Sequence, residues 1–168
     1  FCIHTRYSTQ QAILEDIVAS LYAQGMRKLI ILSGHGGNNF KGMIRDLAFV
    51  YPDFLIIAAD WFSIVPPKDY FEAVVDDHAG ESETSVMMHY HPELVNLAEA
   101  GDGESHPFAI PSLNEKVGWA PRHWDKATVD SGVGNPKKAS AEKGERYMKP
   151  VVEKLAKLFT EVGLGSLY

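Results

Sequence analysis

The chain has 168 residues, 45% of them hydrophobic and 23% charged, with a formal net charge of −6 and one cysteine. That size and balance suit one globular domain with a substantial core. The acidic balance argues against a nucleic-acid footprint, which needs clustered Lys and Arg, and no apolar run reaches the ~18 residues of a membrane span.

Cys2 alone excludes an internal disulfide and fits a reducing compartment, so a cytoplasmic setting and an inert thiol are expected. The chain opens on Phe1-Cys2-Ile3-His4 without an initiator Met, which is expected of the interior of a domain. Ser8 or Thr9 can cap a helix in which Ile13, Ile17, Val18, Leu21 and Tyr22 recur at helical spacing, with Gly25 as terminator. Lys28-Leu29-Ile30-Ile31-Leu32 then predicts a strand buried on both faces. After the turn Ser33-Gly34-His35-Gly36-Gly37-Asn38 a helix is expected over 39–49, with Met43, Ile44, Leu47 and Phe49 inward. Residues 54–59 predict a second buried strand ending at Asp60-Trp61. This rhythm implies an α/β fold with a mostly parallel sheet and helices on its faces. Sites in such folds lie beyond the carboxyl ends of the strands, where His35 and Asp60 stand.

Pro66-Pro67 breaks the chain before a short helix expected around 70–75, and another helix is expected over about 80–90. Residues 101–138, rich in Gly, Pro and isolated aromatics, suggest a functional loop or an oligomer contact. The last helix, 141–162, is expected to bury Gly144, Met148, Val151, Val152, Leu155, Leu158 and Phe159. Lys137, Lys138, Lys143, Arg146 and Lys149, interleaved with Glu142 and Glu145, suggest a solvated face. No repeat or interdomain linker is visible, so one domain over 1–168 is expected.

Two turns carry the chemistry. His35 between glycines after a buried strand can meet a ligand at close range, bind a neighbouring carbonyl, or belong to an anion cradle. The Lys and Ser/Thr that end a phosphate loop are replaced by Asn38-Asn39. His78-Ala79-Gly80-Glu81-Ser82-Glu83-Thr84-Ser85 sets a histidine five residues ahead of a carboxylate. Glu83 there suits a metal ligand or a proton-transfer partner, or else a first-turn carboxylate favoured by the helix dipole. Glu81 is expected to be solvated, and Asp76 and Asp77 are candidates to orient His78. His89 and His91, two apart on a helix, do not face each other and suit a structural or surface role. Gly36 and Gly37, with Trp61, are candidate substrate contacts; Tyr7, Trp119 and Trp124 are candidate pocket walls.

These two turns, with Gly132-Val133-Gly134-Asn135-Pro136 and Ala139-Ser140-Ala141-Glu142-Lys143-Gly144, resemble the creatininase family over about residues 1–162. The resemblance implies a three-layer α/β/α domain and a pair of divalent metal ions, zinc or manganese. It also implies hydrolysis of a cyclic or linear amide C–N bond in a small molecule, and assembly as homo-oligomers, commonly hexamers. It makes His35 and Glu83 metal ligands and His78 the catalytic acid/base. The family's further ligands, a Glu, a His and a bridging Asp, come from an earlier segment. The 168 residues thus resemble roughly the C-terminal two-thirds of the family's domain. Creatininases proper also carry Glu where Gly37 stands and Trp where Val74 stands, which argues against creatinine as substrate. A formamide deformylase of flavin-type cofactor synthesis, a metal-free non-catalytic relative and an anion-binding module are the alternatives.

Overall fold

The structure is a computed structural model that describes residues 4–166; Cys2 lies outside the described residues. The chain divides into two compact units, one formed by residues 4–64 and 153–166 and the other by Val65–Val152.

In the first unit α1 (Tyr7–Ala23) begins after Arg6, so Ser8 and Thr9 lie inside the helix rather than capping it. Leu14 and Val18 are buried and Leu21 and Tyr22 pack beside them, while Ile13 and Ile17 are 53% and 45% exposed. Val18, Leu21 and Tyr22 thus face inward as expected, and Leu14 stands in the core where Ile13 and Ile17 do not. After β1 (Lys28–Ser33) comes α2 (Lys41–Val50), then β2 (Leu55–Asp60) parallel to β1, with Lys28 opposite Leu55 and Ser33 opposite Asp60. Met43 and Leu47 of α2 are buried with Phe54 and Ile56, and Leu29 and Ile31 of β1 pack against them. Each such side chain contributes roughly 1.5–3 kcal/mol when fully buried.

The expectation of burial on both strand faces does not hold among the described residues. Alternation sends Leu29 and Ile31 to the core, and leaves Leu32 half exposed on the opposite face. Phe49 is also outside, 90% exposed, because it lies off the Met43–Leu47 stripe. The unit is closed by Lys28, whose Nζ donates to the carbonyls of Val162 and Gly165, each at 2.6 Å. These are carbonyls at the end of α6 (Ala141–Leu164), where helix geometry leaves acceptors without partners and a cation is favoured.

In the second unit β3 (Asp76–His78) pairs antiparallel with β4 (Val133–Gly134), and α3 (Glu81–Tyr90) follows β3 directly. The expected helix at 70–75 is absent; a 3-10 turn at Pro67–Asp69 leads into irregular chain. The amides of Glu72 and Ala73 instead donate to the Glu81 carboxylate, at 2.9 and 2.7 Å. The start of α6 lies against α3 through Gly144, where any Cβ would run into the Ser85 carbonyl. Its buried stripe is Gly144, Tyr147, Val151 and Leu155; Met148 and Leu158 are half-buried, and Val152 and Phe159 are 48% and 42% exposed. Tyr147 reaches inward to donate to the Val65 carbonyl at 3.2 Å, and burial pushes its phenol above the ordinary value.

The 101–138 stretch is ordered chain with two short helices, α4 (Pro111–Asn114) and α5 (Trp124–Ala127). Its neck is closed by the Ser105–Thr128 bridge and by a His106 N–H bond to the Ala127 carbonyl at 2.8 Å. Among the described residues no helix is long and apolar enough to cross a membrane.

Candidate active site

His35, Gly36, Gly37 and Trp61 belong to the first unit, at the carboxyl ends of its parallel strands. The His35 turn is held from within. The Asn38 N–H donates to the His35 carbonyl at 3.1 Å, Ser33 Oγ donates to the same carbonyl at 3.3 Å, and Asn38 Nδ2 donates to Ser33 Oγ at 3.3 Å. The His35 ring folds back over Gly37, its Nε2 2.9 Å from where a Cβ would stand. A side chain at position 37 would thus displace the imidazole. Above Gly36 stands the Phe62 ring, which meets Trp61 edge-on at 6.0 Å between centroids. Beside this end a cavity of about 310 Å³ opens, lined by Asn38, Lys41, Arg45 and Asp60 among others.

His78 and Glu83 belong to the second unit, and here the structure does bring two candidates together. His78 Nδ1 lies 3.9 Å from Glu83 Oε2, both side chains being more than one-third exposed. Glu83 is in the first turn of α3 and accepts the Ala79 N–H at 2.7 Å, while Thr84 Oγ1 donates to the Ala79 carbonyl at 3.2 Å. These bonds hold Ala79 at φ 50, in the left-handed region that costs an L-residue about 1–2 kcal/mol. The turn thereby sets the His78 side chain beside the carboxylate. The His78 ring also meets the Trp124 ring, tilted, at 5.0 Å between centroids, and the Arg122 guanidinium lies 4.9 Å from the same indole.

The neighbouring acids are engaged differently from expectation. Asp76 accepts the Ser82 N–H at 3.1 Å and so caps α3, and Asp77 pairs with Arg122. Glu81, expected in solvent, is fully buried and paired with Lys143 at 2.5 Å. Helix geometry accounts for the reversal: two positions before Glu83, Glu81 points to the far side of α3, toward α6. Lys143 also pairs with Glu72, so the basic cluster is not wholly a solvated face; Lys143 is 19% exposed. The Glu81 carboxylate raises Lys143 above the usual lysine value, and Lys138 with Lys143 holds Glu72 down to about 2. His89 packs on Tyr90 and His91 pairs with Glu93, both structural contacts. Nothing in the spacing signals the Glu81–Lys143 pair or the Arg122–Trp124–His78 stack, because their members lie far apart in the sequence.

The creatinine amidohydrolase family model matches residues 1–159. The chain belongs to the creatininase family. It is 24% identical over 92% of its length to the creatinine amidohydrolase of Pseudomonas putida, of which it covers 63%. It is 32% identical over 75% of its length to the mycofactocin precursor peptide peptidase of Mycobacterium ulcerans, of which it covers 45%. A solved candidate creatinine amidohydrolase of Bacteroides fragilis is 83% identical, with a TM-score of 0.97 over all of this chain and 66% of that one. Manganese and zinc–zinc forms of creatininase share the fold at TM-scores of 0.71 and 0.68, with 23% and 24% identity over 95% of this chain and 65% of theirs. The α/β fold expected from the sequence is thus a creatininase fold, and the chain spans less than two-thirds of these relatives.

Among the described residues no three His, Cys, Asp or Glu side chains gather closely enough to hold a metal ion.

Proposed function

We propose that this chain serves a hydrolase that cleaves an amide C–N bond, with His78 as the proton-transfer residue. The observation that carries this is the His78–Ala79–Gly80 turn. A strained residue, a backbone bond to Glu83 and the Trp124 ring hold the imidazole beside a carboxylate at a surface that substrate can reach. His78 takes a proton from the attacking water as its oxygen bonds to the amide carbon, then delivers that proton to the departing nitrogen as the C–N bond breaks. Glu83, 3.9 Å away, steadies the imidazolium charge whenever His78 holds the proton. The family assignment and its two named hydrolase relatives support the reaction class.

Divalent-metal dependence belongs to the same proposal, supported by the zinc and manganese forms of creatininase. His35 and Glu83 are its candidate donors, each tested separately; no step is assigned to the ion. Gly36, Gly37 and Trp61 are proposed to contact substrate. A small-molecule amide, a homo-oligomeric assembly and a cytoplasmic setting complete the reading. With Gly37 and the fully exposed Val74 replacing bulkier family residues, a formamide or open-chain amide is the favoured substrate over creatinine.

The test is an amide panel comprising creatinine, N-formyl compounds and acyl amides, with elemental analysis of the purified protein. His78→Gln is expected to lower turnover about 10²–10⁴-fold while circular dichroism is unchanged. Full activity in that variant would remove His78 from the reaction. His35→Ala and Glu83→Gln are each expected to lower metal content; unchanged content in either would strike that residue from the ligand set.

A further inference from the structure

Between the neck of the long loop and α5 lies a cavity of about 490 Å³, within the range of small-molecule sites. Its wall carries Arg122, Lys126, His106 and His123, its apolar part is Pro107, Phe108, Ala109 and Ala127, and no carboxylate lines it. In a chain of net charge −6 this is a local concentration of basic groups. Arg122 is paired with Asp77, but Lys126 has no carboxylate within ion-pair distance among the described residues. The cavity is built rather than incidental: its neck is bridged at Ser105–Thr128, and Asn114 clamps Phe108 by accepting its N–H and donating to its carbonyl, at 2.9 and 2.8 Å.

We propose that this cavity seats the carboxylate of an organic acid with an aryl or alkyl body, the acid-bearing end of the amide substrate or product. Lys126 meets the charge and Phe108 with Pro107 covers the body. The link to chemistry is α5, because Trp124 packs on His78 while Arg122, His123 and Lys126 around it face the cavity. This inference rests on the hydrolase reading above and adds the substrate class to it.

The experiment titrates the isotope-labelled chain with N-acetyl-L-phenylalanine and with its neutral carboxamide, near neutral pH, following backbone amides. The acid is expected to bind about tenfold tighter than the carboxamide, the difference one charge-assisted hydrogen bond supplies. Shifts should centre on residues 106–109 and 122–127. Lys126→Ala should abolish the preference, Lys126→Arg should retain it, and Lys149→Ala, outside the cavity, should leave it unchanged. Equal binding of acid and carboxamide, shifts centred elsewhere, or an unchanged preference in Lys126→Ala would each overturn the proposal. Binding is measured without turnover, so acid binding with no hydrolysis supports the cavity and defeats only the hydrolase reading. Hydrolysis with no acid preference does the reverse.

Discussion

The two units are held together by different physics. The first is a strand–helix–strand element whose core is almost wholly aliphatic and aromatic: Leu14, Val18, Met43, Leu47, Phe54 and Ile56. The second places a fully buried carboxylate, Glu81, against Lys143 and two backbone amides. Apolar burial is non-directional and tolerant. A buried ion pair is directional and penalises the loss of either member. The first unit should therefore lose stability in proportion to volume removed, and the second in proportion to partners removed.

The largest effect expected is in the first unit. Leu47→Ala, at a position 3% exposed, should cost about 2–5 kcal/mol. Hydrogen exchange should accelerate in α1, α2 and both parallel strands, with residues 65–152 keeping their protection. Equal acceleration everywhere would show that the two units open as one.

Next is Lys143→Met, which leaves Glu81 buried without its cation and should cost about 3 kcal/mol in urea titrations. Adding Glu81→Gln should recover part of that loss, since it removes the unpaired buried charge while its amide oxygen can still accept the Glu72 and Ala73 N–H groups. A single variant within ~0.5 kcal/mol of the parent would mean that the pair is solvated in solution.

Tyr147→Phe removes one buried hydrogen bond to the Val65 carbonyl and should cost about 1 kcal/mol. Phe159→Ser, on the exposed side of the same helix, should stay within ~0.5 kcal/mol. Thermal melts showing the reverse order would restore the stripe expected from the sequence.

The smallest effect is a pH dependence. Glu72 is held at about 2 by Lys138 and Lys143, below its unfolded value near 4.3. Its contribution is present above that unfolded value and fades as pH falls through about 2. Lys138→Ala should shift the acid-unfolding midpoint slightly upward, and an unmoved midpoint would show that the pair adds nothing to the fold. Lys143 is raised, so its contribution holds below ~10.4 and is lost as pH climbs through its folded value.

The same contrast explains what could be read from the sequence. The helices α2, α3 and α6 follow from local signals because a helix closes its own backbone bonds, and the two parallel strands follow from their apolar runs although their bonds are made to each other. Stripe phase is harder to read. Ile13 and Phe49 are as apolar as Leu14 and Leu47, and only the packed partner decides which of them turns inward. β3 and β4 were not legible, being three and two residues long and paired across more than fifty positions. At the site, the His78–Glu83 juxtaposition was legible because it is local. The fate of Glu81 was not, since Lys143 lies 62 residues away. Trp124 could be suspected only as a wall, and its seat on His78 depends on how the long loop closes.

The bond from Lys28 to the end of α6 spans 134 residues, and all of the second unit lies between its partners in the chain. During synthesis, every residue of the second unit is made before the last stretch of the first. The second unit can therefore finish its own contacts early, while β1, β2 and the two helices beside them wait for α6 to be completed. During that wait the half-exposed Leu32 of β1 is open to other chains, a hazard that ends when the lysine bonds close the unit.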